Sequence, residues 1–510
     1  MKALKFFTVS LVLFCTLHVA NAQTATLSDI LSVSLRNVGA IVSQENLVNG
    51  YFFFYKVDKA DKKNNNYLLK ILNANLGEVV SKNIVESKNI YLSEASYDGV
   101  GSICLKFYDF KEKISKYQIY NKDGNQVGNF TDPVNNMELM VAQMDAGKDQ
   151  ASNVMLYEIP QKGFVSYSYI DNKKLGYGIR FMSSDGKATW TTTSAKDSKE
   201  VEAASFLATD DNILYSMVYK RPGLMSRTMT GYIVAHDLKT GAKLFEVPTK
   251  NEKYQHVYST AYYNPLDMKT YLFGQYYGIE AKMMKDASLG LFIHSIDNTG
   301  KMEGNKYVSW KDQVSKFIPV NEKGKMENVG NLFFHNIIRS PEGKMYAISE
   351  QYRKTIGLGS LMSPPAKMIT EDMAVFEFSD KFELQNVKIF DKTKSTMTLQ
   401  DGTSFVDAQL LAYLLKAYGG FDFAFTQINK AKNNFTICYI DLEKEPGKKR
   451  TLKFVAQTKT GSADYVTDKI SLETEATSLM VMPSKPGTVL FLEYFKKEKS
   501  IKLRLEKINF

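Results

Sequence analysis

One unit recurs about eight times along this chain, and no other feature restricts its fold as much. A turn leads into an apolar run, a charged hairpin follows, and a second strand ends in a second turn. The first turn occurs at Leu47–Gly50, Tyr97–Gly99, Pro160–Gly163, Thr209–Asn212, Asn264–Asp267, Ser340–Gly343, Tyr418–Gly420 and Pro483–Gly487. Gly and Asn tolerate the positive φ of tight turns, and Pro presets the φ of their second position. The runs behind these turns read YFFFYKV, SICLKFYDF, FVSYSYI, ILYSMVY, TYLFGQYY, MYAISEQY, FDFAFTQI and TVLFLEYF. Each is strand-sized, aromatic or β-branched, and bounded by polar clusters. The second turn follows at Asn75–Gly77, Lys122–Gly124, Ser184–Gly186, Leu238–Gly241, Asp297–Gly300, Ser379–Lys381 and Glu445–Gly447.

First turns lie roughly 50 to 77 residues apart, against about 40–45 for a compact propeller blade, so extended hairpins and connections are expected. The last copy is short. It has strands at 490–494 and 501–508, and then the sequence ends at Phe510. A segment before the first full unit, Ile30–Leu35, has the right size to supply the missing outer strand. Pairing it with the last copy closes a ring and removes a sheet edge. The pattern therefore predicts an all-β fold, an eight-bladed β-propeller closed by its N-terminal strand, as one domain over residues 23–510. Two short helices interrupt it. Asp132-Pro133 opens a capped run over 135–144, and Asp407–Tyr418 (DAQLLAYLLKAY) stands where an innermost strand belongs. The second helix leaves seven blades as the alternative. Gly357, Gly359, Pro364 and Pro365 mark 352–373 as an inserted loop.

Residues 1–22 read as a secretory signal. Lys2 and Lys5 form the basic end, 6–20 the apolar core, and Ala20-Asn21-Ala22 a small-x-small cleavage site. The expected location is outside the cytoplasm: periplasm, cell surface or medium. No later stretch reaches the ~20 apolar residues of a membrane-spanning helix. After cleavage only Cys104 and Cys438 remain, in distant repeats, and buried free thiols are expected rather than a bridge. A disulfide scaffold is excluded; the core must hold the fold. The net charge of +10, less Lys2 and Lys5, leaves the mature chain near +8.

Two turns resemble those of known propellers. Arg339–Tyr346 (RSPEGKMY) is similar to the Ser-Pro-Asp-Gly-Lys turn of TolB-like bacterial propellers. Ser183–Trp190 (SSDGKATW) resembles the Asp-box of sialidase-like propellers at Ser183, Asp185, Thr189 and Trp190, with Lys187 where that box has Gly. In that family the box is a structural turn, so the resemblance implies fold and not catalysis. The stretch VSLRNVGAIVSQENLVNGYFFFYKVDK, with YLLKIL and IVESKNI after it, resembles an uncharacterised family of exported proteins of Gram-negative bacteria, a domain of unknown function. That resemblance implies export and carries no catalytic residues.

Motifs for chemistry are missing. There is no G-x-S-x-G elbow, H-E-x-x-H, C-x-x-C or P-loop, and thus no cofactor or metal signature. His236, His256, His294 and His335 have no partner at helical or hairpin spacing. Inner-strand positions Glu45, Glu94, Glu158 and Glu202, with His335 and Asn336, are the candidates for a catalytic channel. Two carboxylates about 5–9 Å apart there would suit glycoside hydrolysis. The plainer reading is the polar lining of a wet channel. Arg180, Arg221, Arg227, Arg339 and Arg353 are candidates for an acid-binding cluster, with no pattern that assigns them.

The hairpins between second and third strands say more. They carry Lys59/Lys62/Lys63, Lys111/Lys113, Lys173/Lys174, Lys220/Arg221, Lys282/Lys285, Arg353/Lys354, Lys430/Lys432 and Lys496/Lys497/Lys499. In a propeller these hairpins share one face, so the repeat predicts a basic ring able to focus anions. Lys at hairpin tips also keeps sheet edges soluble. Tyr55, Tyr108, Tyr219, Tyr276, Tyr277, Tyr352 and Tyr494 near that face suit stacking on sugars or bases, or ordinary strand packing. The leading expectation is a non-enzymatic binding protein for an anionic polysaccharide, lipopolysaccharide or envelope protein, with nucleic acid the least favoured anion. The alternatives are a propeller-type glycan hydrolase and a structural component of the envelope.

Overall fold

The computed structural model describes residues 23–508, apart from 43–46, 146–153, 172–173, 224–225, 227–228, 265–266, 282–285, 322–330, 357–363, 407 and 444–450. The segment expected as a signal (1–22), Glu45, Arg227, Lys173, Lys282 and Lys285 lie outside the described residues. Eight antiparallel sheets follow one another around a ring, each a meander from an inner to an outer strand. Blades 1 to 7 cover residues 38–87, 90–133, 156–193, 201–248, 254–309, 331–398 and 423–471; blade 8 combines 478–507 with 23–27. The eight-bladed propeller read from the repeat is the fold.

The packing explains why the repeat looks as it does. Each gap between neighbouring blades holds one apolar cluster, including the gap between blades 8 and 1. Strands buried on both faces need near-continuous apolar runs, which is what YFFFYKV and TVLFLEYF are. The second-turn glycines serve the same gaps. Gly186 (φ +70°) lies so close to blade 2 that a Cβ would stand 2.3 Å from the Val127 carbonyl oxygen. Gly241 (φ +73°) would meet the Trp190 ring of blade 3 at 2.6 Å. Both the left-handed backbone and the blade spacing demand glycine there. The Asp-box-like turn is structural: Ser183 Oγ accepts from Ala188 N (2.9 Å), and Trp190 Nε1 donates to Leu238 O (2.8 Å) of blade 4.

Ring closure is as expected, but by a different segment. Gln23–Leu27, not Ile30–Leu35, pairs antiparallel with Ser500–Lys507. An outer strand faces solvent, so the polar QTATL can fill that place. The more apolar ILSVSL is drawn into the gap between blades 8 and 1, where Ile30 and Leu35 are buried. Its backbone is tied by Ile30 N to Lys499 O and Leu31 N to Lys56 O.

The helices are α1 (Asn136–Asp145) and α2 (Ala408–Ala417). Asn135 caps α1, its Oδ1 accepting from Glu138 N at 2.8 Å. Helix α2 does not replace an inner strand. It precedes Phe423–Asn429, which is the inner strand of blade 7, and packs with Tyr352, Met368 and Phe421 at the top of blade 6. This settles the count at eight. It also moves Lys430 and Lys432: they follow the inner strand and sit in the first turn of blade 7, on the face opposite the basic hairpins. The second-to-third hairpin of blade 7 is 444–450, outside the described residues. The segment expected as an inserted loop is largely strand: Met345–Ile356 and Ala366–Phe378 pair, and Ser395–Thr398 adds a fifth strand.

Cys104 and Cys438 are buried free thiols, in the gaps between blades 2 and 3 and blades 7 and 8.

Candidate functional site: the hairpin face

Apart from Lys59, which ends the second strand of blade 1 and is exposed there, the described hairpin cations divide into two groups by strand boundary. In blades 8, 1, 2 and 3 they sit in the turn itself. Lys496 and Lys497 follow the strand ending at Phe495, Lys62 and Lys63 precede the strand starting at Asn64, Lys111 and Lys113 follow the strand ending at Asp109, and Lys174 precedes Leu175. All seven are exposed. A residue beyond the ladder has no cross-strand neighbour to supply a carboxylate. The acids of these hairpins serve the turns. Asp61 Oδ1 accepts from Lys63 N and Asn64 N (2.6 and 2.9 Å), and Asp109 Oδ1 from Lys111 N and Glu112 N (2.9 and 3.0 Å). Glu112 stands 3.7 Å from Lys111 in an exposed pair, Lys113 Nζ donates to Asn136 Oδ1 (3.2 Å), and Lys174 Nζ donates to Pro222 O.

In blades 4 and 6 the cations belong to the strands, and Lys220, Arg353 and Lys354 are tied. Lys220 pairs with Glu246 at 2.5 Å. Arg353 Nε donates to Glu371 Oε1 (2.8 Å), which also takes Lys394 (3.1 Å). Lys354 Nζ donates to Ser404 O and Val406 O (2.9 and 2.8 Å). Arg221 is half-buried at the end of its strand. Among the described residues, the exposed hairpin cations form an arc over blades 8, 1, 2 and 3; the hairpin cations of blade 5 and the hairpin of blade 7 lie outside the described residues. The tyrosines near this face are buried strand residues, except the half-buried Tyr219.

The inner-strand candidates take separate positions. Glu158 is exposed on the inner strand of blade 3, yet hemmed in enough that burial pushes its carboxyl above the usual range, against hydrogen bonds from its own amide and Ser96 Oγ (3.2 Å). It is the one exposed carboxylate on the described inner strands; Ser205 and Ser259 are the other exposed residues there. Glu202 is buried and accepts from Ser198 Oγ at 2.5 Å. Asn336 Nδ2 donates to Thr426 Oγ1 (2.8 Å). Arg180 pairs with Asp132, and Arg339 lies at the first turn of blade 6, so the arginines are not gathered.

Glu94 and His335 belong to clasps between blades. Glu94 of blade 2 accepts the amides of Met155 and Leu156 at the start of blade 3 (2.8 and 2.9 Å). Buried Lys106 stands 3.9 Å from it and 3.7 Å from Glu138 of α1. Glu138 in turn accepts from Tyr108 Oη (2.7 Å) and Tyr169 N (2.9 Å). Between blades 6 and 7, Glu350 accepts the amides of Asp422 (3.2 and 3.1 Å) and Phe423 (3.1 Å). Lys392 bridges Glu350 (3.2 Å) and Asp422 (2.5 Å). His335 Nε2 lies 3.3 Å from Glu350, and Lys416 Nζ 3.4 Å from His335 Nδ1, with Phe421 and Phe423 against the imidazole. Burial drives His335 down to about 4, against the pull of Glu350. Burial opposes the Glu350 charge, but His335 and Lys392 together hold its carboxyl below the usual range. Asp422 is raised by burial, with Lys392 acting the other way. Neither clasp was visible in the sequence, because its members come from distant strands. The same is true of His256 and His294, whose rings meet at 4.4 Å beside Tyr307. Among the described residues no group of three or more His, Cys, Asp or Glu could hold a metal ion.

Comparison with known proteins identifies the family. The model of a family of unknown function, DUF6770, matches residues 1–509, and the chain belongs to that family. No curated protein matches it. Among solved structures it is similar to prolyl oligopeptidase B from Galerina marginata, at 9% identity and TM-score 0.40, over 90% of this chain and 55% of that one. This chain therefore spans about half the length of that enzyme. It is also similar to the β-propeller domain of the Trilobed protease from Pyrococcus furiosus (9% identity, TM-score 0.36, 84% and 95% covered). A third likeness is to a europium-containing methanol dehydrogenase (10% identity, TM-score 0.37, 82% and 81% covered).

Proposed function

We propose that this DUF6770 propeller is an exported binding protein whose basic arc engages an anionic partner of the cell envelope: an acidic polysaccharide, lipopolysaccharide or an acidic protein surface. One observation carries the reading. Hairpin lysines on four consecutive blades are exposed, and Lys62, Lys63, Lys496 and Lys497 have no ion-pair partner among the described residues. Charges held on one face of a rigid ring add their fields and raise the local concentration of an anion. The inner-strand acids offer less. Glu94 is occupied with backbone amides and Glu202 with a serine, while a two-carboxylate mechanism needs a facing pair.

The test is retention on immobilised dextran sulfate as a function of salt. The protein is expected to bind at low salt and elute as salt screens the arc. Reversing Lys62, Lys63, Lys496 and Lys497 to Glu should weaken binding by about a hundredfold or more, since each lysine near an anionic surface contributes about 1 kcal/mol. No retention at low salt, or retention that survives the reversal, contradicts the reading.

A further inference from the structure

The hairpin face carries a feature that the arc does not use. Above blades 5 and 6, apolar side chains stand out. Phe405 is 74% exposed and Ile356 72%, with Ile279, Leu289 and Phe317 less so. Ile279 and Leu289 flank the hairpin of blade 5, Phe317 lies in the crossover to blade 6, Ile356 ends the second strand of blade 6, and Phe405 precedes α2. All five therefore leave the sheets at the same end as the basic hairpins. Among the described residues, the loops of the opposite end expose only Val100 and Met268 as large hydrophobics.

Phe405 is held out rather than left loose. Lys354 Nζ grips the carbonyls on both sides of it, those of Ser404 and Val406. Ser404 N donates to Pro364 O (3.3 Å), and Thr403 Oγ1 accepts from Ala366 N (2.8 Å). The loop is thus stapled to the strand that ends in Ile356. Phe405 and Ile356 are thus both exposed at the same end of the fold. A lipid bilayer is planar, so it meets the loops of a whole propeller face at once. Its headgroup–acyl boundary takes up apolar side chains, and anionic headgroups attract lysine.

We propose that the hairpin face docks on the surface of an anionic lipid bilayer, with Phe405 and Ile356 inserted at the headgroup boundary and the lysines of blades 8, 1, 2 and 3 on the headgroups. This inference rests on the basic-arc reading and names lipid as the anion. Sedimentation with phosphatidylcholine–phosphatidylglycerol vesicles tests it, with phosphatidylcholine vesicles and dextran sulfate as the other arms. The wild-type protein should bind the mixed vesicles far better than the neutral ones. Replacing Phe405 and Ile356 together by Ser should weaken vesicle binding about a hundredfold, about tenfold for each large apolar side chain. Retention on dextran sulfate should not change. If the double variant misfolds, Phe405→Ser alone decides, with about a tenfold loss expected. Binding to dextran sulfate but not to mixed vesicles overturns bilayer docking and leaves the arc reading standing. Vesicle binding that ignores both Ser substitutions overturns the apolar anchors. Binding to neither overturns both readings.

Discussion

The two halves of the hairpin face start from the same sequence signal and end in opposite states. Among the described residues, blades 8, 1, 2 and 3 carry hairpin cations that stay exposed, whereas Lys220, Arg353 and Lys354 of blades 4 and 6 are tied to Glu246, Glu371 and loop carbonyls. The difference is a matter of where the strand stops. A cation inside the ladder has a neighbour on the next strand, and a carboxylate placed there captures it. A cation in the turn has no cross-strand neighbour to supply a carboxylate. A count of cations per hairpin therefore overstates the charge available to a partner.

The clasp between blades 6 and 7 is the place to break the tied half. Glu350→Ala would leave Lys392 buried with only Asp422, and orphan the amides of Asp422 and Phe423. Removing one partner of a buried ion pair costs about 3–5 kcal/mol. A fall of that order in unfolding free energy by denaturant titration is expected, with retention on dextran sulfate unchanged once the protein is folded. A variant of unaltered stability would show that the clasp does not hold blades 6 and 7 together.

Acid should separate the halves next. His236, His256, His294 and His335 all lie in blades 4 to 6. Burial holds His236 and His335 down to about 4 and His294 to about 3, and lowers His256 too. The unfolded chain, near 6.5, then binds more protons than the native state below that pH. Stability is complete above pH ~6.5 and is lost as pH falls toward 4, by up to about 3 kcal/mol for His335. Hydrogen exchange at pH 5 against pH 7.5 should show blades 4 to 6 loosening before blades 8 to 3. Uniform protection, or earlier loss in blades 8 to 3, would contradict this.

The smallest effect concerns a single tied cation. Lys220→Gln removes a half-exposed pair with Glu246 and should cost no more than about 1 kcal/mol, read as a small shift of the denaturation midpoint. A loss of several kcal/mol would mean that the pair supports blade 4 far more than its exposure allows.

Much of the fold was legible because its constraints are local. Turn glycines such as Gly186 and Gly241 mark both a backbone conformation and a blade gap, so they recur in phase with the blades. Phase was lost once, at blade 7. Tyr418-Gly-Gly420 looks like a first turn but ends α2, and the true first turn, at Lys430–Asn433, lacks glycine. Asn433 takes the positive φ instead, at 50°. The closing strand was misplaced for a related reason: apolar content favoured Ile30–Leu35, whereas an outer strand needs little of it. The site was legible only as a list of cations. Which of them stay free depends on Glu246 and Glu371, 26 and 18 residues along the chain from Lys220 and Arg353. The exposed Phe405 carried no sequence signal, because nothing local distinguishes it from a core aromatic.

Lys62 and Lys63, in the turn of blade 1, are available to an anion, and Lys220 and Arg353, tied within their strands, are not. Two variants with the same loss of charge test it directly: Lys62→Gln with Lys63→Gln, and Lys220→Gln with Arg353→Gln. Their elution from dextran sulfate on a salt gradient is compared with wild type. The account predicts earlier elution for the first pair and wild-type elution for the second. Equal shifts for both, or a larger shift for the second, would contradict it.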